Sequence, residues 1–167
     1  MKNMKKTYTD ESLLEKRLAG ELPRIDIAGH PFIIDWRLKE LRPVDDFSTR
    51  IDLRNMPMDA EGVNYLCFYH IPTKSALHLS DKITELPKDT VMLAIPYELK
   101  LDPVGVAREY GAEDTFMLGS YPIQRNLKAK VVPLEETGLP DIVRRNKEQQ
   151  QKQGNKNRKQ KRRGRGI

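Results

Sequence analysis

Alternating apolar and polar positions organise the first half of this chain. Between Arg24 and Leu41, Ile25 and Ile27 alternate with Asp26, and Phe32, Ile34, Trp36 and Leu38 alternate with Ile33, Asp35, Arg37 and Lys39. A period of two marks half-buried strands, because successive side chains point to opposite faces of a sheet. Gly29 suits a turn between the two runs, whereas Pro31 has no N–H to close a tight one. The expectation is therefore a hairpin with a four-residue loop, Ala28 to Pro31. That loop sets Ile27 opposite Phe32, Ile25 opposite Ile34, and Arg24 opposite Asp35 as a cross-strand ion pair.

The alternation recurs at 50–54, where Ile51 and Leu53 share a side, and at Asn64 to His70 and Ser75 to Leu79, which flank a turn carrying Pro72. Both faces of 64–70 are fairly apolar, which places that strand inside a sheet rather than at its edge. Thr90 to Ile95 is the most apolar strand, and Ala129 to Leu134 a last short one.

Helical signals are fewer. Thr7 or Thr9 is positioned to cap a helix through Ala19, with Leu13, Leu14 and Leu18 on its buried face and Gly20 as its stop. Asp102-Pro103 followed by Gly111 combines a capping acid, proline in the first turn and glycine past the end. Val106 or Ala107 with Tyr110 forms the expected stripe of that helix. Asp81 to Leu86 and Glu113 to Leu118 predict single helical turns. A final helix starts near Pro140, anchored by Leu139, Ile142 and Val143.

The resulting expectation is an α+β domain: one small, mostly antiparallel sheet of about five to six strands, with short helices on one face and a disordered basic C-terminal tail. Residues 1–6 are read as a disordered N-terminus, 7–148 as the single domain and 149–167 as a basic low-complexity tail. From Arg144 to Gly166 there is no aliphatic or aromatic side chain. Such a segment buries too little surface to offset its ordering entropy. A solvated helix through the glutamines, fraying at Gly154, is the most structure it is expected to hold.

Charge sharpens the division. The last sixteen residues carry Lys152, Lys156, Arg158, Lys159, Lys161, Arg162, Arg163 and Arg165 and no acid. Without those eight, 22 of the chain's 30 basic residues face 24 acidic ones, so the rest of the chain is slightly acidic. A segment of this kind neutralises phosphates and binds nucleic acid through counterion release. It lacks the aromatic side chains that stack on bases, so binding should be blind to sequence. The residues expected to contact phosphate are Arg158, Lys159, Lys161, Arg162, Arg163 and Arg165, with DNA or RNA as partner.

Cys67 is the single cysteine, so no internal disulfide forms and a reducing compartment fits. Neither a secretory h-region nor an apolar run of membrane-spanning length appears, and no lipidation motif supplies a membrane anchor. A cytoplasmic location follows, or a nuclear one in a eukaryotic cell, where the basic run would serve as an import signal.

Catalytic chemistry finds little support. Cys67 and His70 are separated by an odd number on one strand and should point to opposite faces, which argues against a zinc site with His78 or a Cys–His nucleophile. Asp45-Asp46 and Glu135-Glu136 are adjacent acids in loops. No phosphate loop, dinucleotide fingerprint or nucleophile elbow is present. No catalytic residue, metal or cofactor is therefore assigned. The expected function is that of a non-enzymatic accessory protein whose body docks on a protein partner while its tail binds nucleic acid. The alternatives are an assembly module of the mobile-element or phage type with a merely solubilising tail, and a small enzyme without a visible motif.

Overall fold

The computed structural model describes residues 10–164, with side-chain surroundings through Arg158. It is an α+β fold, but its strands number eight, in two four-stranded antiparallel sheets rather than one sheet of five or six. The first sheet runs β1 (Arg24–Ile27), β2 (His30–Asp35), β3 (Glu40–Pro43) and β4 (Ile51–Asp52) in sequence order. The second orders β6 (Ser75–Leu77), β5 (Asn64–His70), β7 (Thr90–Pro96) and β8 (Lys130–Pro133). Among the described residues the α-helices are α1 (Glu11–Leu18), α2 (Glu98–Leu101), α3 (Pro103–Glu109) and α4 (Leu139–Gly164). No helix of the described residues is long and apolar enough to cross a membrane.

The first hairpin differs from expectation in both loop and register. Ile27 pairs with His30, Ile25 with Phe32 and Arg24 with Ile33. The turn is therefore the two residues Ala28 and Gly29, with φ of 51° and 86°. Positive φ at both positions matches the right-handed strand twist, which is why such turns are favoured in hairpins. Pro31 is tolerated because it pairs with Asp26 at a position where the backbone groups point away from the partner strand. The Asp26 N–H instead donates to the Leu127 carbonyl at 2.9 Å, and the Ala129 N–H donates back to the Asp26 carbonyl at 3.0 Å. Those bonds stitch the outer edge of β1 to the chain entering β8, so the two sheets join along one side.

The second correction concerns Trp36 and Leu38. The period of two runs through them, yet β2 ends at Asp35 and the chain turns. Asp35 accepts from the Leu38 N–H at 3.2 Å, Lys39 takes φ of 55°, and the chain returns as β3. Asp35 finds its cation there, in Arg42 at 2.8 Å, not in Arg24. Trp36 is nevertheless buried, whereas Leu38 is exposed.

The remaining strands follow the sequence closely. β5 and β6 enclose the loop Ile71 to Lys74, and β5 lies inside its sheet between β6 and β7. Ile25, Ile27, Phe32, Ile34, Leu41 and Ile51 from the first sheet share one apolar core with Tyr65, Tyr69, Leu93 and Ile95 from the second. Phe32 and Tyr69 meet edge to face across it, with ring centroids 6.2 Å apart. The stretch 81–86 forms turns and bends, not the helical turn expected.

α1 is capped by Asp10, which accepts from the Leu13 N–H at 3.2 Å; Thr7 and Thr9 lie outside the described residues. Its end is a Schellman motif: Gly20 N–H bonds the Arg17 carbonyl, Glu21 N–H bonds the Lys16 carbonyl, and Gly20 takes φ of 105°. The buried residue of this helix is Arg17, however, and Leu18 is exposed. Arg17 Nε and Nη2 fork onto the two carboxylate oxygens of Asp102 at 3.1 and 2.9 Å. Asp102 also caps α3, accepting from the Gly105 N–H at 3.0 Å. Glycine is needed at 105 because a Cβ there would stand 2.3 Å from Asp102 Oδ2 and 3.3 Å from Trp36 Cβ. One buried carboxylate thus ties α1 to α3. The stripe of α3 is Val104, Val106 and Ala107; Tyr110, expected to join it, is exposed.

Several surface carboxylates hold loops. The Asn64 amide holds Asp59 below the usual carboxylate pKa, and the backbone N–H groups of Val63 and Asn64 add to it. Arg108 does the same for Asp114, Arg125 for Asp10, and the Ser48 hydroxyl for Asp46. A carboxyl whose folded pKa is depressed contributes stability above its unfolded value and loses it as pH falls through the folded one. Thermal melts should therefore show a nearly constant Tm from about pH 6 to about pH 5 and a steady fall below about pH 4. Asp59→Asn should shallow that fall. A Tm unchanged down to about pH 2 would refute the assignment.

Candidate nucleic-acid interface

Of the six sequence-predicted phosphate contacts, Arg165 lies outside the described residues, and Arg158, Lys159, Lys161, Arg162 and Arg163 fall on the last helix. Thr137 launches it, accepting from the Leu139 N–H at 3.1 Å while its hydroxyl donates to the Leu134 carbonyl at 2.6 Å. Leu139 and Val143 are buried and Ile142 half-buried, the three anchors the sequence indicated. The last hydrogen bond from α4 to the body among the described residues is made by Asn146, whose amide donates to the carbonyls of Asp81 at 2.8 Å and Ile83 at 2.7 Å.

Beyond that clamp the helix continues. Every residue from Lys147 to Arg158 is exposed, and the backbone stays helical to Gly164. The backbone of α4 is helical through Gly154 to Gly164. Glutamine, lysine and arginine have good helix propensity, and cations near a helix C-terminus interact favourably with its dipole. At about 1.5 Å per residue, the part past Asn146 reaches roughly 27 Å from the clamp.

The helical period sorts the side chains. Gln149, Gln153 and Asn157 recur at i, i+4 and i+8 as an amide stripe, while Arg145, Lys152 and Lys156 share a second row. Positions 159 and 163 continue the row of Lys152 and Lys156; Arg158 and position 162 begin another, and 161 a third. The helical period therefore spreads the basic positions from Lys152 to position 163 over more than one row of the backbone, apart from the row of amides. Arg158 is exposed, Lys159, Lys161, Arg162 and Arg163 occupy helical backbone positions, and Arg165 lies outside the described residues.

The other constellations stay apart. Cys67 is partly buried, and His70 Nδ1 lies 2.8 Å from the Thr73 hydroxyl in the hairpin loop. His78 is exposed, and among the described residues no group of three or more His, Cys, Asp or Glu is placed to hold a metal. Asp45 meets the Lys74 ammonium at 3.2 Å, and Asp46 accepts from the Ser48 N–H at 3.0 Å. Glu135 and Glu136 sit exposed in a single 3₁₀ turn.

Burial pushes the Cys67 thiol up to about 12. Since only the thiolate is nucleophilic, native protein at about pH 8 should resist iodoacetamide and become labelled when urea unfolds it. Mass spectrometry after timed quenching would show this; rapid native labelling would mean an accessible, activated thiol.

The Arg17–Asp102 pair was not among the sequence expectations, in which Asp102 served only as a cap. A fork of that kind joins residues 85 positions apart, and nothing local announces it. No family model, curated protein or solved structure matches this chain.

Proposed function

We propose that this chain is a non-enzymatic accessory protein that contacts nucleic acid through phosphates with its C-terminal segment, while the folded body docks on a protein partner. The observation that carries the reading is α4 itself. From Lys147 to Arg158 every residue is exposed, yet the backbone remains helical and carries basic residues on several rows. An exposed, basic helical extension joined to a slightly acidic body fits an arm for an external polyanion. Basic positions on more than one row favour contact with phosphates from any approach rather than one reading face, in keeping with sequence-independent binding.

Docking of the body finds support in Phe47, Tyr110 and Phe116, aromatic side chains that the core leaves in solvent. Aromatic residues are enriched at protein interfaces.

The deciding measurement is fluorescence anisotropy of labelled single-stranded DNA, duplex DNA and RNA with the full chain and with a 1–151 form, across a salt series. Binding that weakens steeply with salt and disappears on truncation supports the arm. Equal, negligible binding by both forms rejects it and leaves the assembly-module reading.

A further inference from the structure

A cleft of about 320 Å³ opens on the body between α1, the approach to β1, the α2–α3 junction and the chain before β8. Its charge is unbalanced. Lys16, Arg24 and Lys100 line it, and none of them makes an ion pair with a described residue. At its base Arg17 commits Nε and Nη2 to Asp102, which fixes the guanidinium plane and leaves Nη1 without a hydrogen bond among the described residues. Leu13, Leu22 and Leu127 supply an apolar wall. Glu21 is the one carboxylate of the lining besides the committed Asp102.

We infer that this cleft binds a phosphomonoester of mononucleotide size. Three uncommitted cations and a pre-oriented guanidinium suit a dianion better than a carboxylate, since a phosphomonoester carries close to two negative charges near neutral pH. The cleft is larger than inorganic phosphate needs and falls at the lower end of small-molecule sites, so the ester carries a compact organic body that rests on the leucines. Arg17 held by a carboxylate is the device that makes the floor rigid: a guanidinium already oriented loses less freedom on binding. A free mononucleotide and the 5′ end of a strand both present a phosphomonoester, and a 5′-phosphorylated dinucleotide separates them. The site stands on the body, so it holds whether or not α4 binds nucleic acid.

Backbone amide shifts of the full chain, titrated with adenosine 5′-monophosphate, adenosine and inorganic phosphate, provide the test. Adenosine 5′-monophosphate should move the amides of Lys16, Arg24, Lys100 and Asp102 in a saturable manner, and adenosine should leave them still. Arg24→Gln/Lys100→Gln, altering two exposed side chains without ion-pair partners among the described residues, should weaken binding about tenfold or more. A 5′-phosphorylated dinucleotide that binds more tightly than the mononucleotide identifies a strand end as the source; weaker binding identifies the free ester. Shifts confined to α4, equal shifts with adenosine, or unchanged affinity in the double variant would each overturn the inference.

Discussion

Arg17→Ala should lower the unfolding free energy by about 3–5 kcal/mol, the largest loss expected from any single substitution outside the apolar core. The Arg17 and Asp102 side chains are only 9% and 2% exposed, so the truncation leaves a carboxylate in the interior without its cation. What remains to it is the Gly105 N–H, too little to replace a forked guanidinium. Against a total stability of about 5–15 kcal/mol, that loss brings the chain close to unfolding at ordinary temperature. At about 2–4 °C per kcal/mol for a chain of this size, Tm should fall by roughly 6–20 °C. Much of the cost is the stranded charge rather than the worth of the pair, and a second substitution exposes this. Asp102→Asn in the Arg17→Met background keeps an acceptor for Gly105 but removes the charge, so it should recover part of the loss. Asp102→Ala removes the charge and the cap together, adding about 1 kcal/mol for the cap alone. Urea melts of Arg17→Ala, Arg17→Met/Asp102→Asn and Asp102→Ala measure these terms. A loss below about 1 kcal/mol for Arg17→Ala would mean that water reaches the pair, and the account of the fold around it would fail.

How much of this was legible depends on whether the stabilising group was apolar. Strands β5 and β7 could be read directly, because Tyr65, Tyr69, Leu93 and Ile95 keep the period of two and end in turn residues. The α3 start was legible from Asp102-Pro103, and its end from Gly111. The register of β1 with β2 was not, since it turned on whether Pro31 could sit in the ladder. It sits at the pairing position where the missing N–H costs nothing to β1, a property of the register and not of the residue. β3 was hidden by Trp36 and Leu38, which extend the alternation across a turn made by the Asp35 carboxylate and a residue at positive φ. In α1 the leucines drew the eye while an arginine was buried, and hydrophobic patterning has no means of announcing a charge that is paired 85 residues away. The anchors of α4 were readable, and the helical course of its exposed part was not, for one reason. Leu139, Ile142 and Val143 carry burial, which patterning registers, whereas the persistence of a helix in solvent rests on propensity and dipole.

That persistence sets the size of the salt effect, and the slope of affinity against salt should report it. If all eight cations from Lys152 to Arg165 met phosphates, log K would fall with log salt at a slope of about −7, since each neutralised duplex phosphate contributes about −0.9. A straight helix lying on a duplex presents about half of its circumference, so roughly four cations reach phosphates at once and the slope is about −4. Between about 50 and 200 mM salt this predicts a loss of affinity of roughly 150-fold instead of about 10⁴-fold. Replacing Lys152 and Lys156, which share one row, by glutamine should change the slope by about 2 if that row faces the duplex, and by much less if another does. Gly154→Pro, which breaks the helix between them, should steepen the slope because a loosened chain can wrap its cations onto more phosphates. A slope already near −7 for the unaltered chain, unchanged by Gly154→Pro, would show that the arm binds as an extended chain and that the helix does not survive on DNA. A slope near zero would deny it any role on a polyanion.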